Sequence, residues 1–251
     1  MRLSFLSTIQ PTAHTPLWLG AFMLAAVALI TAAGCSGSDS PTGTGTGTGG
    51  GPLNGGSGTA TLKIVMQIEG GDIGGGAFDT DFLATVTDTV DSLVSGATVT
   101  VTGPFGSISL VEDALNPGSY SATRAGYTSG TYVANVVRGL DNVTNVRVVA
   151  PTPHTITSPR PQDLVATNQP IDVRWTRIEL AEESRVETRD YVGLWVTGDT
   201  GALTIPAIGN PPRADQRVRV KRVNRQDANG GLPGSAVSAS IRLTVEPVIS
   251  Q

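Results

Sequence analysis

Cysteine occurs once in the 251 residues, at Cys35. That excludes an intrachain disulfide framework and any zinc site built on several cysteines. Histidine is limited to His14 and His154, and lysine to Lys63 and Lys221. Aromatic residues make up 5% of the chain and charged residues 15%, the latter well below the usual quarter. The formal net charge of −4 leaves no basic surplus to neutralise a phosphate backbone, so nucleic acid is not an expected partner.

The same scarcities leave little room for catalysis. Ser–His–Asp chemistry would have to use His154, which sits in a proline-rich stretch, and no G-x-S-x-G elbow is present. The run Gly126-Tyr127-Thr128-Ser129-Gly130 misses that pattern by one position. There is no P-loop, and neither lysine stands in an S-x-x-K setting. Gly45, Gly47 and Gly50 meet the G-x-G-x-x-G spacing, yet no strand precedes them and no helix follows. Carboxylate pairs for glycoside cleavage have a spacing set by the fold and leave no mark in a sequence. The expectation is a non-enzyme without a cofactor.

What the chain does have begins near its N-terminus. Residues 17–30 (LWLGAFMLAAVALI) form an uncharged apolar run, shorter than the roughly 20 residues a spanning helix needs and suited to a signal-peptide core. It leads into Ala32-Ala33-Gly34-Cys35, small residues that let an extended chain enter a peptidase cleft. This arrangement resembles the bacterial lipoprotein signal, with Ala32 where leucine is commonest. The resemblance implies cleavage between Gly34 and Cys35 and lipidation of Cys35. Acyl chains contribute about 0.8 kcal/mol per buried CH₂, so two or three hold a protein stably on a bilayer. By the same resemblance Ser36, in place of an inner-membrane-retaining aspartate, implies the outer membrane.

Residues 36–58 (SGSDSPTGTGTGTGGGPLNGGSG) cannot bury apolar surface and read as a flexible tether. Random-coil scaling gives such a length a span of roughly 25–30 Å. The expected organisation is a signal peptide over 1–34, the lipidated Cys35 and tether over 35–58, and β-rich modules over 59–150 and 151–251.

In the first module residues 59–69 alternate, with Leu62, Ile64, Met66 and Ile68 on one face and Lys63, Gln67 and Glu69 on the other. Strands are predicted next around Phe82, Ala84 and Val86, then over 97–102, 107–112, 119–124, 131–138 and 143–150, with turn residues between them. Seven short strands at this spacing predict an antiparallel β-sandwich. The run 96–101 (GATVTV), followed by Gly118-Ser119-Tyr120, resembles carboxypeptidase-regulatory-like and related Ig-like modules. That resemblance implies a non-catalytic sandwich. Asp72, Asp79 and Asp81 crowd one glycine-rich region and are candidate Ca²⁺ ligands, although no twelve-residue ligand pattern or closing glutamate accompanies them; a solvated polar loop is the plainer reading.

Pro151, Pro153, Pro159 and Pro161 mark the junction. Strands are predicted over 155–158, 170–176, 191–196, 202–205, 217–223 and 237–245. The stretch 156–176 (ITSPRPQDLVATNQPIDVRWT) resembles the opening of fibronectin-III and Ig-like bacterial domains, which implies that Trp175 is a core residue. Segment 179–189 (ELAEESRVETR) alone has helical composition, and a short helix or a charged loop is expected there. Trp195, like Trp175, falls in a strand pattern and reads as core. Arg217, Arg219 and Lys221 alternate with Val218 and Val220, which places three cations on one strand face. They are candidates for an anionic ligand such as an envelope glycan; equally, they guard a sheet edge and pair with the acidic 179–190 segment.

The sequence therefore predicts an all-β chain of two tandem sandwich modules on a lipidated tether. The implied role is a non-catalytic lipoprotein of the outer membrane acting in binding, adhesion or envelope structure, with the membrane and an envelope glycan or protein as partners. The alternative is an accessory carbohydrate- or anion-binding protein using the basic strand 213–225; a lipid-anchored hydrolase ranks below both.

Overall fold

The computed structural model describes residues 55–251; the leader, Gly34, Cys35 and the tether as far as residue 54 lie outside the described residues. The fold is all-β. In chain order the strands of the first half are β1 (Ser57–Gly58), β2 (Lys63–Gly74), β3 (Ala77–Thr87), β4 (Thr98–Gly103), β5 (Gly106–Glu112), β6 (Ser119–Ala125), β7 (Gly130–Arg138) and β8 (Asp141–Ala150). The second half contributes β9 (Ile156–Ser158), β10 (Leu164–Val165), β11 (Ile171–Trp175), β12 (Glu183–Glu187), β13 (Val196–Thr197), β14 (Ala202–Ile205), β15 (Arg213–Asp227) and β16 (Ala236–Ser250). A single 3-10 turn, Ala207–Gly209, precedes β15.

Period-two alternation builds the first sandwich as the sequence predicts. One layer presents Ile64, Met66 and Ile68 of β2, Phe82, Ala84 and Val86 of β3 and Tyr120 of β6. The other presents Val99 and Val101 of β4, Tyr132, Ala134 and Val136 of β7 and Val143, Val146 and Val148 of β8. The two layers are parts of one ladder, because β5 pairs with β4 along its start and with β6 at Val111 and Glu112. Phe82, Phe105 and Tyr132 meet in the core with ring centroids 5.7–6.4 Å apart. Residues 57–58, read as the end of the tether, instead form β1 and pair with Val143 and Thr144 of β8.

The second sandwich lays the small sheet β14–β11–β9 over the ladder β12–β15–β16. Ile156, Ile171, Val173, Trp175 and Ile205 face Val186, Val218, Val220 and Val248. Segment 179–189 is neither helix nor loop: its middle is strand β12, paired with β15 from Glu183↔Val223 to Glu187↔Arg219. Ser184 and Val186 alternate inward, and the charges that suggested a helix point outward against the cations of β15. The strand predicted over 191–196 shrinks to Val196–Thr197 and one bridge from Val192 to Glu187.

Two separate cores thus lie on either side of residue 150, but they share strands. β16 pairs in parallel with β2, from Ala236↔Val65 to Arg242↔Gly71. That ladder carries Val237 and Ala239 into the first core, joined by Ala228 of the β15–β16 turn, while Val218, Val220 and Val248 of the same long hairpin serve the second.

Between the cores the hairpin face turns polar at Arg222, opposite Ile241. Arg222 and Asp199 both have fully buried side chains. The guanidinium donates from Nε to Asp199 Oδ2 at 2.6 Å, from Nη1 to the Thr152 carbonyl at 2.8 Å, and from Nη2 to the Glu179 carbonyl. Asp199 also accepts the indole N–H of Trp175 at 2.9 Å. Beside this cluster Tyr127 donates to the Pro151 carbonyl at 2.6 Å, and its ring lies against Gly70, where a Cβ would come within 2.1 Å of a ring carbon. One arginine thereby ties together the inter-module segment, the loop before β12, the loop before β14 and the β11 tryptophan.

An unpaired charge at such a site is far costlier than a missing pair. Asp199→Ala is therefore expected to destabilise the protein by about 3–5 kcal/mol in urea unfolding, and the double variant Asp199→Ala/Arg222→Met to recover much of that loss. A single-variant cost under about 1 kcal/mol would contradict this assignment.

Candidate functional site

Arg217, Arg219 and Lys221 do share one face, as their spacing predicts, and it is the face turned away from both cores. Their strand is not an edge: β15 lies between β12 and β16. Register places further side chains beside them on the same outer face. Arg185 of β12 stands directly opposite Lys221, and Lys221 directly opposite Arg242 of β16. In the adjoining rows Glu187 is opposite Arg219, and Ser240 of β16 is opposite Glu69 of β2. Gln67 and Ser238 continue the face beside Arg225.

Carboxylates temper this field in part. Glu69 pairs with both Lys221 and Arg242, the latter at 3.2 Å. Glu187 takes Arg185 at 2.6 Å and Glu183 takes Arg225 at 3.0 Å. The acidic segment reaches across to Arg225 and Arg213, but not to Arg217, Arg219 or Lys221, whose expected pairing with it is not formed. Arg217 and Arg219 have no ion-pair partner among the described residues; Arg219 Nε donates to the Thr244 hydroxyl at 3.3 Å. Partial burial, with the charges of Arg217 and Arg242 next, lowers the Arg219 pKa.

At one end of this face is a concavity of about 310 Å³ lined by Gln67, Arg185, Trp195, Lys221, Val223, Arg225, Ser238 and Ser240. Trp195 is a half-buried wall of this concavity and not a core residue. The guanidinium carbons of Arg185 and Arg225 lie 4.4 and 5.4 Å from its ring centroid, within cation–π range. Arg185, Trp195 and Arg242 were missed by sequence reasoning. Arg185 sits in a helix-like composition, Trp195 in a false strand, and Arg242 reaches the site only through strand pairing.

The three aspartates do not converge. On the β2–β3 hairpin Asp79 is opposite Gly71 and Asp81 opposite Glu69, whereas Asp72 is opposite Phe78 on the other face. The Asp72 carboxylate accepts the Gly74 N–H at 2.8 Å, and Asp81 accepts the Thr123 hydroxyl at 2.8 Å. Among the described residues no group of three histidine, cysteine, aspartate or glutamate side chains could hold a metal ion.

His154 is buried beside Arg222, and neither ring nitrogen meets a hydrogen-bond partner at bonding distance. Burial, then the positive charge of Arg222, lower its pKa from 6.5 to about 3, against the opposing pull of Asp199. It stays neutral and serves as packing.

No family model matches the chain, and no curated protein does. Several solved structures are similar. The adhesin InvE of Yersinia pseudotuberculosis is 15% identical over 74% of this chain and 60% of its own, with a TM-score of 0.27. This chain therefore spans less than two thirds of that adhesin structure. Fibronectin(III)-like modules of Clostridium thermocellum CbhA are 14% identical over 75% of this chain and 94% of theirs, with a TM-score of 0.26. The two immunoglobulin domains of DIP-gamma are 10% identical over 74% of this chain and 98% of theirs, with a TM-score of 0.24. Likenesses this distant carry no inference about binding or activity.

The state of His154 has a measurable consequence. Its pKa is about 3 in the fold against an ordinary 6.5, so over that interval the unfolded chain takes up a proton that the fold does not. The stability tied to neutral His154 is complete above pH ~6.5 and lost as pH falls towards 3. Unfolding free energy should decline between these values more steeply than in His154→Leu, by up to about 1.4 kcal/mol per pH unit. Parallel pH profiles for the two proteins would contradict it.

Proposed function

We propose that the protein is a lipid-anchored lipoprotein of the bacterial outer membrane, and that its two β-sandwich modules act without catalysis in binding, adhesion or envelope structure. Cys35 is its attachment point, after cleavage at Gly34, and the membrane is its first partner. An envelope glycan or protein is the second.

The observation that supports this reading is where Gly58 and Thr61 sit relative to the two modules. Gly58 lies against Gly230 and Asn142, and Thr61 donates to Asp141 at 2.7 Å. Gly230 belongs to the β15–β16 turn and Asp141 and Asn142 open β8, at the end where β2 and β8 start. The second module departs from the opposite end, where β8 finishes at Ala150. An anchor upstream of residue 55 would thus hold the first sandwich by one end and present the second module beyond the other. The ladder β12–β15–β16–β2–β3–β6 offers a broad polar face with a cationic centre, which fits a binding surface better than a catalytic cleft.

Mass spectrometry of the mature protein is expected to find Cys35 as an acylated N-terminus, and Cys35→Ser to move the protein from the membrane to the soluble fraction. An unmodified Cys35, or a Cys35→Ser variant that stays on the membrane, would overturn the anchor. Protease added to intact cells then tells display outside from residence in the periplasm: digestion indicates surface display, and protection indicates a periplasmic role.

A further inference from the structure

We infer that the concavity walled by Arg185, Trp195, Lys221 and Arg225, with the cation row beside it, is a binding site for an acidic glycan whose sugars carry carboxylate groups. This deepens the binding role proposed above by naming a ligand class, and it concerns the described fold alone, independently of how the protein is anchored.

Strand register supplies the first observation. Arg185, Lys221 and Arg242 occupy directly opposed positions on three neighbouring strands. Like charges so placed oppose pairing. Nothing in the packing requires the arrangement, since all three side chains are on the outer face, where uncharged residues would serve the sheet equally well. Around them Arg217, Arg219 and Arg225 bring the cations to six, while the carboxylates in ion-pair reach of the six are Glu69, Glu183 and Glu187. Within that cluster the cations outnumber the carboxylates in ion-pair reach by three, on a protein whose formal net charge is −4.

Unmet hydrogen bonding is the second observation. Arg185 Nε and Arg217 Nε are buried and find no acceptor in the protein. A buried guanidinium N–H without an acceptor is costly, and an incoming oxyanion relieves that cost. Arg185 lines the concavity, and its stacking against Trp195 holds the guanidinium plane in place before a ligand arrives. Holding the group beforehand reduces what binding must order.

The lining identifies the ligand class. A volume of about 310 Å³ exceeds what a lone inorganic ion fills. Beside the cations stand the Ser240 hydroxyl and the Gln67 amide, which can donate to and accept from sugar hydroxyls, and the Ser238 hydroxyl, which donates to the Met66 carbonyl at 3.3 Å and is left to accept. The row running on to Arg242, Arg219 and Arg217 extends the positive field past the concavity, so that successive charges of a chain can be met. Trp195 serves the arginines and not the sugar, because Arg185 and Arg225 both stack against it.

The test is titration calorimetry of the full detergent-solubilised protein with a short oligogalacturonide, with a neutral dextran oligomer and inorganic phosphate as parallel probes. The acidic oligomer should bind, weaken as salt rises, and lose about tenfold or more in affinity in Arg185→Gln and in Lys221→Gln. Arg147→Gln, which removes the same charge from an exposed position on β8, should bind as the parent does. Unchanged melting temperatures in the two site variants would establish that the loss is local; where one unfolds, Ser238→Ala and Gln67→Ala report on the concavity without touching an ion pair. Unchanged affinity in all site variants would overturn the proposal. So would equal binding of the dextran, or binding of phosphate alone. Absence of binding by any probe would overturn it too, while leaving the lipid anchor, read by mass spectrometry at Cys35, untouched.

Discussion

The fully buried pair of Arg222 and Asp199 is the constraint on which the rest of the molecule depends. Removing two charges from water costs several kcal/mol per ion unless their hydrogen bonds are nearly all satisfied. Here the guanidinium is met by a carboxylate and two carbonyls, and the carboxylate in turn by an indole. Those partners come from four separate stretches of chain. None of them can shift without stranding a charge in a dry interior, so the pair holds the spacing between the two cores in a way that apolar contact, being non-directional, could not.

Seen from that pair, the long β15–β16 hairpin is the common beam of both sandwiches. Its inner face passes from Val218 and Val220 through Arg222 to Ala239 and Val237, serving one core, the junction and the other core in turn. Its outer face lines neither core, and there the cations collect. Burial of the inner face and display on the outer face follow from the same alternation of the strand.

Much of this was legible in the sequence. Ile64, Met66 and Ile68 announced a strand, Val99 and Val101 another, and Trp175 its core position, because each depends only on local alternation and on neighbours within a few residues. The outward sharing of one face by Arg217, Arg219 and Lys221 was legible for the same reason. Arg222 was not: as one more arginine in a basic strand, its burial depends on Asp199 and Thr152, both distant in sequence. Strand β12 was hidden because its outward residues are the charged types that helices also favour, and what made it a strand was a free edge on β15. The separation of Asp72 from Asp79 and Asp81 required the hairpin register, which composition does not carry. Arg242 joined the site only because β16 lies between β15 and β2.

The parallel ladder between β2 and β16 also fixes an order of events. A chain that emerges N-terminus first, from a ribosome or through a membrane pore, exposes nearly all of the first sandwich long before Val237 and Ala239 exist to close it. The first core is thus lined mostly by residues from Leu62 to Ala150 and completed by Ala228, Val237 and Ala239, a long-range closure of the kind that slows folding.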